Sequence, residues 1–241
     1  MKTIVILGMH RSGTSMVAGV LQQLGVDIGD DLLEAHISNP FGHFENKQFY
    51  EINKRILATC GGDWLSPPPQ EMILQKNNLY SKEIMDLING NKSELWGWKD
   101  PRTALTINLF LPYLENPYFI VCSRNNFDIA SSLNRRDGLK IEECYLLIDT
   151  YLKRIDDFFK KHSTLKKLDL SYEDIRKNPR IEIEKIIHFL GINQDDKKIR
   201  LAINFIASDK KKGRKKIKYL ITHPHKIPFI LNKNIKKEGK E

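Results

Sequence analysis

The first fifteen residues combine a strand, a glycine loop and a helix, and this combination constrains the fold most. The apolar run 4–7 predicts a buried β-strand that stops at Gly8, and Gly13 follows after four residues. The apolar pattern of residues 16–24 then predicts a helix. In this order the backbone N–H groups of the loop and the positive end of the helix dipole face a bound anion. The sequence therefore predicts a phosphate site directly after the first strand.

The loop differs from that of the nucleoside triphosphatases, which reads G-x-x-x-x-G-K-[ST]. Thr14 follows Gly13 where that pattern has lysine, and the nearby cation is Arg11 inside the loop. The missing lysine argues against hydrolysis of ATP or GTP. It leaves another phosphate-bearing ligand open.

Charge divides the chain into two parts. Residues 209–241 contain 12 Lys and Arg against 3 Asp and Glu, a balance of +9, whereas residues 1–208 contain 27 of each. The positive charge of the 241-residue chain therefore belongs to its end. We expect one large domain over residues 1–208 and a basic C-terminal extension over residues 209–241.

Alternating strand and helix patterns predict a three-layer α/β fold of the P-loop type, with a central parallel sheet flanked by helices. Expected strands are 4–7, 96–99, 118–122 and 168–170, and expected helices are 16–24, 46–59, 78–89, 102–114, 126–135, 141–161 and 180–190. A polar turn is expected from Tyr172. Ligands of such sheets bind beyond the carboxyl ends of the strands. The loop 8–15, Lys99, Arg124 and Tyr172 all follow a predicted strand and should share one rim.

Three cysteines form neither a paired framework nor a metal-binding spacing. No run approaches the roughly 18 apolar residues of a membrane helix, and the first strand leads into the glycine loop without the pattern of a signal peptide. A cytoplasmic location is therefore expected.

The rim resembles that of the sulfotransferases that use 3′-phosphoadenosine 5′-phosphosulfate (PAPS). Their phosphosulfate loop reads Pro-Lys/Arg-Ser-Gly-Thr-Thr/Ser, which is similar to residues 10–15 here. Their 3′-phosphate motif has an arginine and, eight residues later, a serine, which Arg124 and Ser132 match. The segments Tyr172-Glu-Asp and Phe189-Leu-Gly are also shared, and Trp98-Lys-Asp-Pro-Arg resembles the bacterial and carbohydrate-modifying branches.

The resemblance implies a role for each matching residue. The phosphosulfate would bind the loop residues His10, Arg11, Ser12, Gly13, Thr14 and Ser15. Arg11 and Lys99 would be catalytic, by neutralising charge on the sulfuryl group and the bridging oxygen. Arg124 and Ser132 would hold the 3′-phosphate, and Tyr172 would approach the adenine. No metal is implied.

The acceptor hydroxyl needs a general base. The cytosolic branch has a histidine at the position of Pro101, so Glu45, within the window used by glycan and tyrosine sulfotransferases, is the first candidate. Asp100 and His43 are the alternatives. His43, Asp100 and Arg102 are also assigned to the acceptor side, although Asp100 could instead orient Lys99 or cap the helix that starts at Arg102.

The expected reaction is transfer of a sulfuryl group from PAPS to a hydroxyl of a glycan, glycolipid, surface polysaccharide or small molecule, and nucleic acid is not an expected partner. A P-loop kinase using ATP and Mg²⁺, with Asp100 or Asp169 at the metal, remains an alternative. So does a non-catalytic protein that binds a phosphorylated ligand or an anionic surface.

The basic extension has three interpretations. Lys211-Lys-Gly could cover the 3′-phosphate. Residues 214–241 could contact an anionic surface such as membrane lipid. The extension could equally be a solvated end.

Overall fold

The computed structural model describes residues 1–34 and 42–208. Its core is a sheet of four parallel strands in the order β2-β1-β3-β4. The strands are β1 (Lys2–Leu7), β2 (Leu95–Lys99), β3 (Pro117–Ser123) and β4 (Lys166–Ser171). The predicted parallel sheet is confirmed, with all four strands in their predicted places.

Apolar residues of the strands alternate between two hydrophobic clusters, one on each face of the sheet. Val5 and Leu7 of β1 pack in one cluster, and Ile4 and Ile6 pack in the other. Successive side chains of a strand point to opposite faces, so a continuous apolar run requires cover on both sides. Helices provide that cover, and the predicted three-layer α/β arrangement is confirmed.

The helices lie between and after the strands. They are α1 (Thr14–Gln23), α2 (Lys47–Thr59), α3 (Gln70–Leu74), α4 (Asn77–Asn91), α5 (Thr103–Phe110), α6 (Asn126–Asp137), α7 (Ile141–Lys161), α8 (Tyr172–Lys177), α9 (Pro179–Leu190) and α10 (residues 196–208). The side-chain oxygens of Asn46 and Asn125 cap α2 and α6. Capping asparagines of this kind explain why both starting points were predictable.

Three elements differ from the expectation. The polar turn at Tyr172 is wrong, because Ser171 accepts a hydrogen bond from the backbone N–H of Asp174 and starts α8 there. The helix expected over 102–114 ends as α5 at Phe110 and continues as a short 3-10 helix, Leu111–Tyr113. Pro112 has no N–H for the next α-helical hydrogen bond, which explains the change. The helices α3 and α10 were not predicted.

The basic extension, with its three interpretations, lies outside the described residues, and so do residues 35–41. Within the described ranges, no helix is both long and apolar enough to cross a lipid bilayer.

Strands β1 and β2 approach each other closely at Gly97. A Cβ atom there would lie 2.1 Å from the carbonyl oxygen of Ile4, which belongs to the backbone of the sheet. We expect Gly97→Ala to lower the free energy of unfolding by about 3 kcal/mol, because a strand pair cannot move apart without losing its hydrogen bonds. Gly90→Ala, in α4 with no atom within 4 Å of the added Cβ, is the control. It should change stability by no more than about 1 kcal/mol. Urea unfolding measures the free energy of unfolding of both variants. Equal losses would contradict the inference that the strand contact at Gly97 excludes a side chain.

Candidate functional site

The loop after β1 lies at the carboxyl end of the sheet and leads into α1. Gly13 has φ 98° and its carbonyl accepts hydrogen bonds from the N–H groups of Met16 and Val17 at the start of α1. A Cβ atom on Gly13 would lie 2.6 Å from Cδ2 of Tyr172. Glycine is therefore required both by the left-handed conformation and by the ring that packs on the loop.

Arg11 links this loop to α6 and to the segment after β3. It has φ 71°, which is uncommon for a residue with a side chain. Its Nε donates to Ser132 Oγ at 2.9 Å, and its carbonyl oxygen accepts from Arg124 Nη1 at 3.2 Å. Burial, together with the charges of Arg136 and Arg124, lowers the pKa of Arg11 to about 10. Part of this shift comes from neighbouring cations, so a bound anion would be stabilised here.

Arg124 follows β3, which lies on the other side of β1 from β2. Its guanidinium carbon lies 4.5 Å from the ring centre of Tyr172, and a terminal nitrogen is 3.6 Å from the half-exposed carboxylate of Asp128. Its Nε is buried and has no hydrogen-bond partner among the residues described. A buried donor without a partner costs free energy, so this nitrogen is suited to an anionic ligand.

Lys99 ends β2 and is buried against the segment before α2. Its Nζ donates to Glu45 Oε1 at 2.5 Å and to the carbonyl oxygen of His43 at 3.0 Å. The side chains of Lys99 and Glu45 are only 2% and 7% exposed. An ammonium group carries three protons, and these contacts use two of them. Lys99 can therefore offer its remaining donor to a ligand in the cleft.

Asp100 is buried behind this ion pair. Its Oδ1 accepts from the backbone N–H and Nη1 of Arg102 at 3.1 and 2.9 Å, and its Oδ2 accepts from Asn53 Nδ2 at 2.8 Å. Burial raises the pKa of Asp100, and the charge of Arg102 opposes that shift. Asp100 does not line the cleft. Its contacts match the alternative in which it caps the start of α5.

Arg102 is held between a carboxylate and an aromatic ring. Its guanidinium carbon lies 4.6 Å from the ring centre of Tyr50, and Nη1 lies 3.8 Å from Glu45 Oε2. Its side chain is 10% exposed. Arg102 therefore touches Glu45 from behind and fixes one side of this carboxylate.

One cleft contains most of the predicted site residues. It is lined by His10, Arg11, Gly13, Thr14, Ser15, Met16, His43, Glu45, Lys99, Pro101, Arg124, Arg136 and Tyr172. Four of the predicted residues are buried next to it without lining it: Ser12, Asp100, Arg102 and Ser132. Ser132 still contacts the cleft through Arg11. The glycine loop, Lys99, Arg124 and Tyr172, which were predicted to share one rim, therefore line the same cleft.

His10 is a buried loop residue that packs between two aromatic rings. Its ring centre lies 4.3 Å from that of Trp64 and 5.9 Å from that of Tyr151. Burial and then the charges of Arg102, Arg136, Lys99 and Arg11 hold the pKa of His10 well below its usual value. The imidazole is therefore neutral near pH 7, and its buried Nε2 has no partner in the described part of the chain.

Arg136 lines the cleft and was not predicted as a site residue; Trp64 packs beside it without lining the cleft. Arg136 occupies the last turn of α6, where a basic residue ordinarily complements the helix dipole, so its position carried no functional signal. With Arg11, Lys99 and Arg124 it gives the cleft lining four cations and one carboxylate, Glu45, while Asp128 and Asp137 pair with Arg124 and Arg136 outside the lining. The cleft is therefore suited to anions. Within residues 1–34 and 42–208, no group of three His, Cys, Asp or Glu side chains is placed to hold a metal ion.

Removing the charge of Asp100 should destabilise the fold, because Arg102 would stay buried with less compensation. We expect Asp100→Asn to cost about 3 kcal/mol of unfolding free energy. Asp128→Asn, whose carboxylate is 49% exposed, is the matched control and should stay within about 0.5 kcal/mol. Chemical denaturation measures both variants. A loss at Asp100 no larger than that at Asp128 would show that the buried network is not structural.

A sequence model described as the sulfotransferase family matches residues 3–196. No curated protein matches the chain. The sulfotransferase domain from the curacin biosynthetic pathway superposes with a TM-score of 0.54 at 17% identity, covering 81% of this chain and 75% of that one. The sulfotransferase domain of the Synechococcus PCC 7002 olefin synthase gives 0.53 at 19% identity, covering 82% and 76%. These two structures share the fold, and the family match extends over most of the sequence: the chain belongs to the sulfotransferase family.

Proposed function

We propose that the protein transfers a sulfuryl group from PAPS to an acceptor hydroxyl. The observation that carries this proposal is the meeting of three strand ends at one cleft. The glycine loop follows β1, Lys99 ends β2 and Arg124 follows β3, and all three line the same space. A donor with phosphate on both its 5′ and 3′ sides has charge for each of these groups.

The residues present fit the 5′-phosphosulfate. The N-terminus of α1 lies at Gly13, so its first N–H groups and the helix dipole are available to an anion. Arg11 and Lys99 add two cations, and Lys99 keeps one proton for this ligand. Burial and the charges of Arg136 and Arg124 lower the pKa of Arg11, and bound negative charge would favour its protonated form.

The 3′-phosphate is assigned to Arg124 and Ser132. Arg124 has a buried Nε without a partner in the described ranges, and its planar fork suits two phosphate oxygens. Ser132 Oγ accepts from Arg11, so its own proton is available to a phosphate oxygen. Tyr172 stacks on Arg124 and closes this side of the cleft, where we place the adenine.

PAPS supplies a sulfuryl group linked to a phosphate that serves as the leaving group. During transfer, a bond forms between the acceptor oxygen and sulfur while the bond from sulfur to the phosphate oxygen breaks. Glu45 receives the proton of the acceptor hydroxyl. Arg11 and Lys99 stabilise the negative charge that develops on the sulfuryl and leaving oxygens. Because Lys99 touches Glu45 directly, one contact couples the base to the charged centre.

The acceptor is proposed to be a hydroxyl of a glycan, glycolipid or surface polysaccharide, on the strength of the resemblance around Lys99 and the position of Glu45. A small non-carbohydrate hydroxyl compound is the alternative, since the names of the two structural neighbours refer to a curacin pathway and an olefin synthase. A reducing, cytoplasmic setting is part of the proposal, because the three cysteines are unpaired.

The placement of the two candidate metal ligands does not support the kinase alternative. Asp100 is fully buried and already bound to Arg102 and Asn53. Asp169 is 64% exposed and pairs with Lys167 at 3.0 Å. Neither lines the cleft.

Calorimetric titration tests donor binding. PAP, the donor without its sulfuryl group, should bind the full chain without added metal, and Arg124→Ala should weaken it by roughly 1.5–3 kcal/mol, the cost of lost hydrogen bonds to a charged group. Arg135→Ala removes the same charge from an exposed position of α6, the helix that follows Arg124, and is the control. Binding of ATP with Mg²⁺ in the absence of PAP binding would overturn the proposal.

Replacing Glu45 with Gln removes the base and keeps the size of the side chain. We expect kcat for sulfuryl transfer to fall by about 10²- to 10⁴-fold, with PAP affinity nearly unchanged. Glu51→Gln, on the exposed side of α2, should leave kcat unaltered. Initial rates with labelled donor supply the measurement. An unchanged kcat in the Glu45 variant would assign the base to another group.

A further inference from the structure

We propose that Arg136 and the aromatic wall beside it, formed by the ring of Trp64, make up an acceptor subsite for an anionic group. The acceptor would then be a hydroxyl compound that carries a carboxylate or a phosphate monoester, both of which offer oxygens to an arginine fork. This inference rests on the proposed sulfuryl transfer and adds the chemical class of its acceptor.

Arg136 is held in a fixed position at the end of α6. Its Nε lies 2.8 Å from both carboxylate oxygens of Asp137, and its guanidinium carbon lies 5.2 Å from the ring centre of Trp64. Its terminal nitrogens make no hydrogen bond or ion pair to any described residue, and the side chain is 22% exposed. Asp137 thus fixes the guanidinium through one nitrogen and leaves the remaining donors for a ligand. Because Asp137 also balances its charge, directed hydrogen bonds would supply the recognition.

The wall under Arg136 is anchored from α7. Tyr151 donates its hydroxyl proton to the carbonyl oxygen of Trp64 at 3.1 Å, and Arg154 donates to the carbonyl oxygen of Pro68 at 2.8 Å. These contacts hold the segment between α2 and α3 against the core. Trp64 therefore offers a fixed aromatic face to Arg136.

The contacts divide the cations of the cleft into two groups. Arg124 contacts Tyr172 and the carbonyl oxygen of Arg11, on the side assigned to the donor. Arg136 contacts Trp64, which in turn packs against the ring of His10 at a tilt of 39°. The two anionic ends of the donor are already matched by Arg11, Lys99 and Arg124. Arg136 is the cleft cation that the donor assignment leaves without a ligand.

His10, which the resemblance places in the phosphosulfate loop, also lies against Trp64 and provides a second observation on this side. Its side chain is 7% exposed, lines the cleft and has a buried Nε2 without a partner in the described ranges. Arg102, Arg136, Lys99 and Arg11 all act to keep this imidazole neutral. A neutral imidazole can donate or accept a hydrogen bond without adding charge. The orphaned ring nitrogen and the open guanidinium together indicate a polar ligand beside Trp64.

The test uses the full chain saturated with PAP and measures binding of matched probes by calorimetry. Glucuronate against glucose tests a carboxylate, and glycerophosphate against glycerol tests a phosphate. We expect the anionic member of at least one pair to bind about 10- to 100-fold more tightly than its neutral counterpart, the effect of hydrogen bonds to a charged group. Arg136→Gln should abolish this preference while changing PAP affinity by less than about twofold.

Two further variants make the result specific. Arg135→Gln, which removes the same charge from the neighbouring exposed residue, should keep the preference. Arg136→Lys keeps the charge without the planar fork and should lose most of the preference even if the glutamine variant folds poorly.

Three outcomes overturn the inference: no anionic preference in either pair, a preference that survives in both Arg136 variants, or a loss of PAP affinity in Arg136→Gln as large as that in Arg124→Ala. The last outcome would assign Arg136 to the donor. If the unaltered chain fails to bind PAP, the proposed function itself fails. If PAP binds and the anionic preference is absent, only the acceptor class is wrong.

Discussion

The buried ion pair between Lys99 and Glu45 is the contact on which the site depends. It joins the last residue of β2 to the segment that leads into α2, and both side chains are almost fully buried. Removing two charges from water is costly unless each finds partners. Lys99 has the carbonyl oxygen of His43 and Glu45 has Arg102 as additional partners. The protein therefore maintains a buried carboxylate beside a buried ammonium group at one end of the sheet.

The register of the sheet places this ion pair next to the glycine loop. Ile6 of β1 is paired with Lys99 of β2, so the end of β2 lies level with the start of the loop. On the other side of β1, Leu7 is paired with Val121, three residues before Arg124. Parallel strands end at the same edge, and that geometry brings charges from distant parts of the chain into one cleft. The close β1–β2 contact at Gly97 supports the same arrangement.

Cations in the cleft are held together without a matching number of carboxylates. Arg11 has a lowered pKa, and Arg124 has a buried nitrogen with no partner in the described part of the chain. Such an arrangement costs folding free energy, and a bound anion would offset that cost. The fold alone would not identify the ligand, because one fold supports many activities. The chemistry of the cleft side chains is what supports the proposed function.

Much of the fold could be predicted from the sequence because it depends on local patterns. Apolar runs identified the four strands, and the asparagines before α2 and α6 marked where those helices start. The rim of the site followed from the rule that parallel strands end together. Elements that depend on a single cap or on packing were missed, such as α8, which begins because Ser171 caps it.

The sequence by itself determined the sheet, the glycine loop and the set of strand-end residues, since periodicity and spacing are local properties. Only the tertiary structure decided their partners. It showed that Glu45 pairs with Lys99, that Asp100 is buried behind the cleft holding Arg102, and that Arg136 reaches the site from the far end of α6. These contacts join residues far apart in the chain or on neighbouring elements. They follow from how helices pack on the sheet, which no spacing in the sequence records.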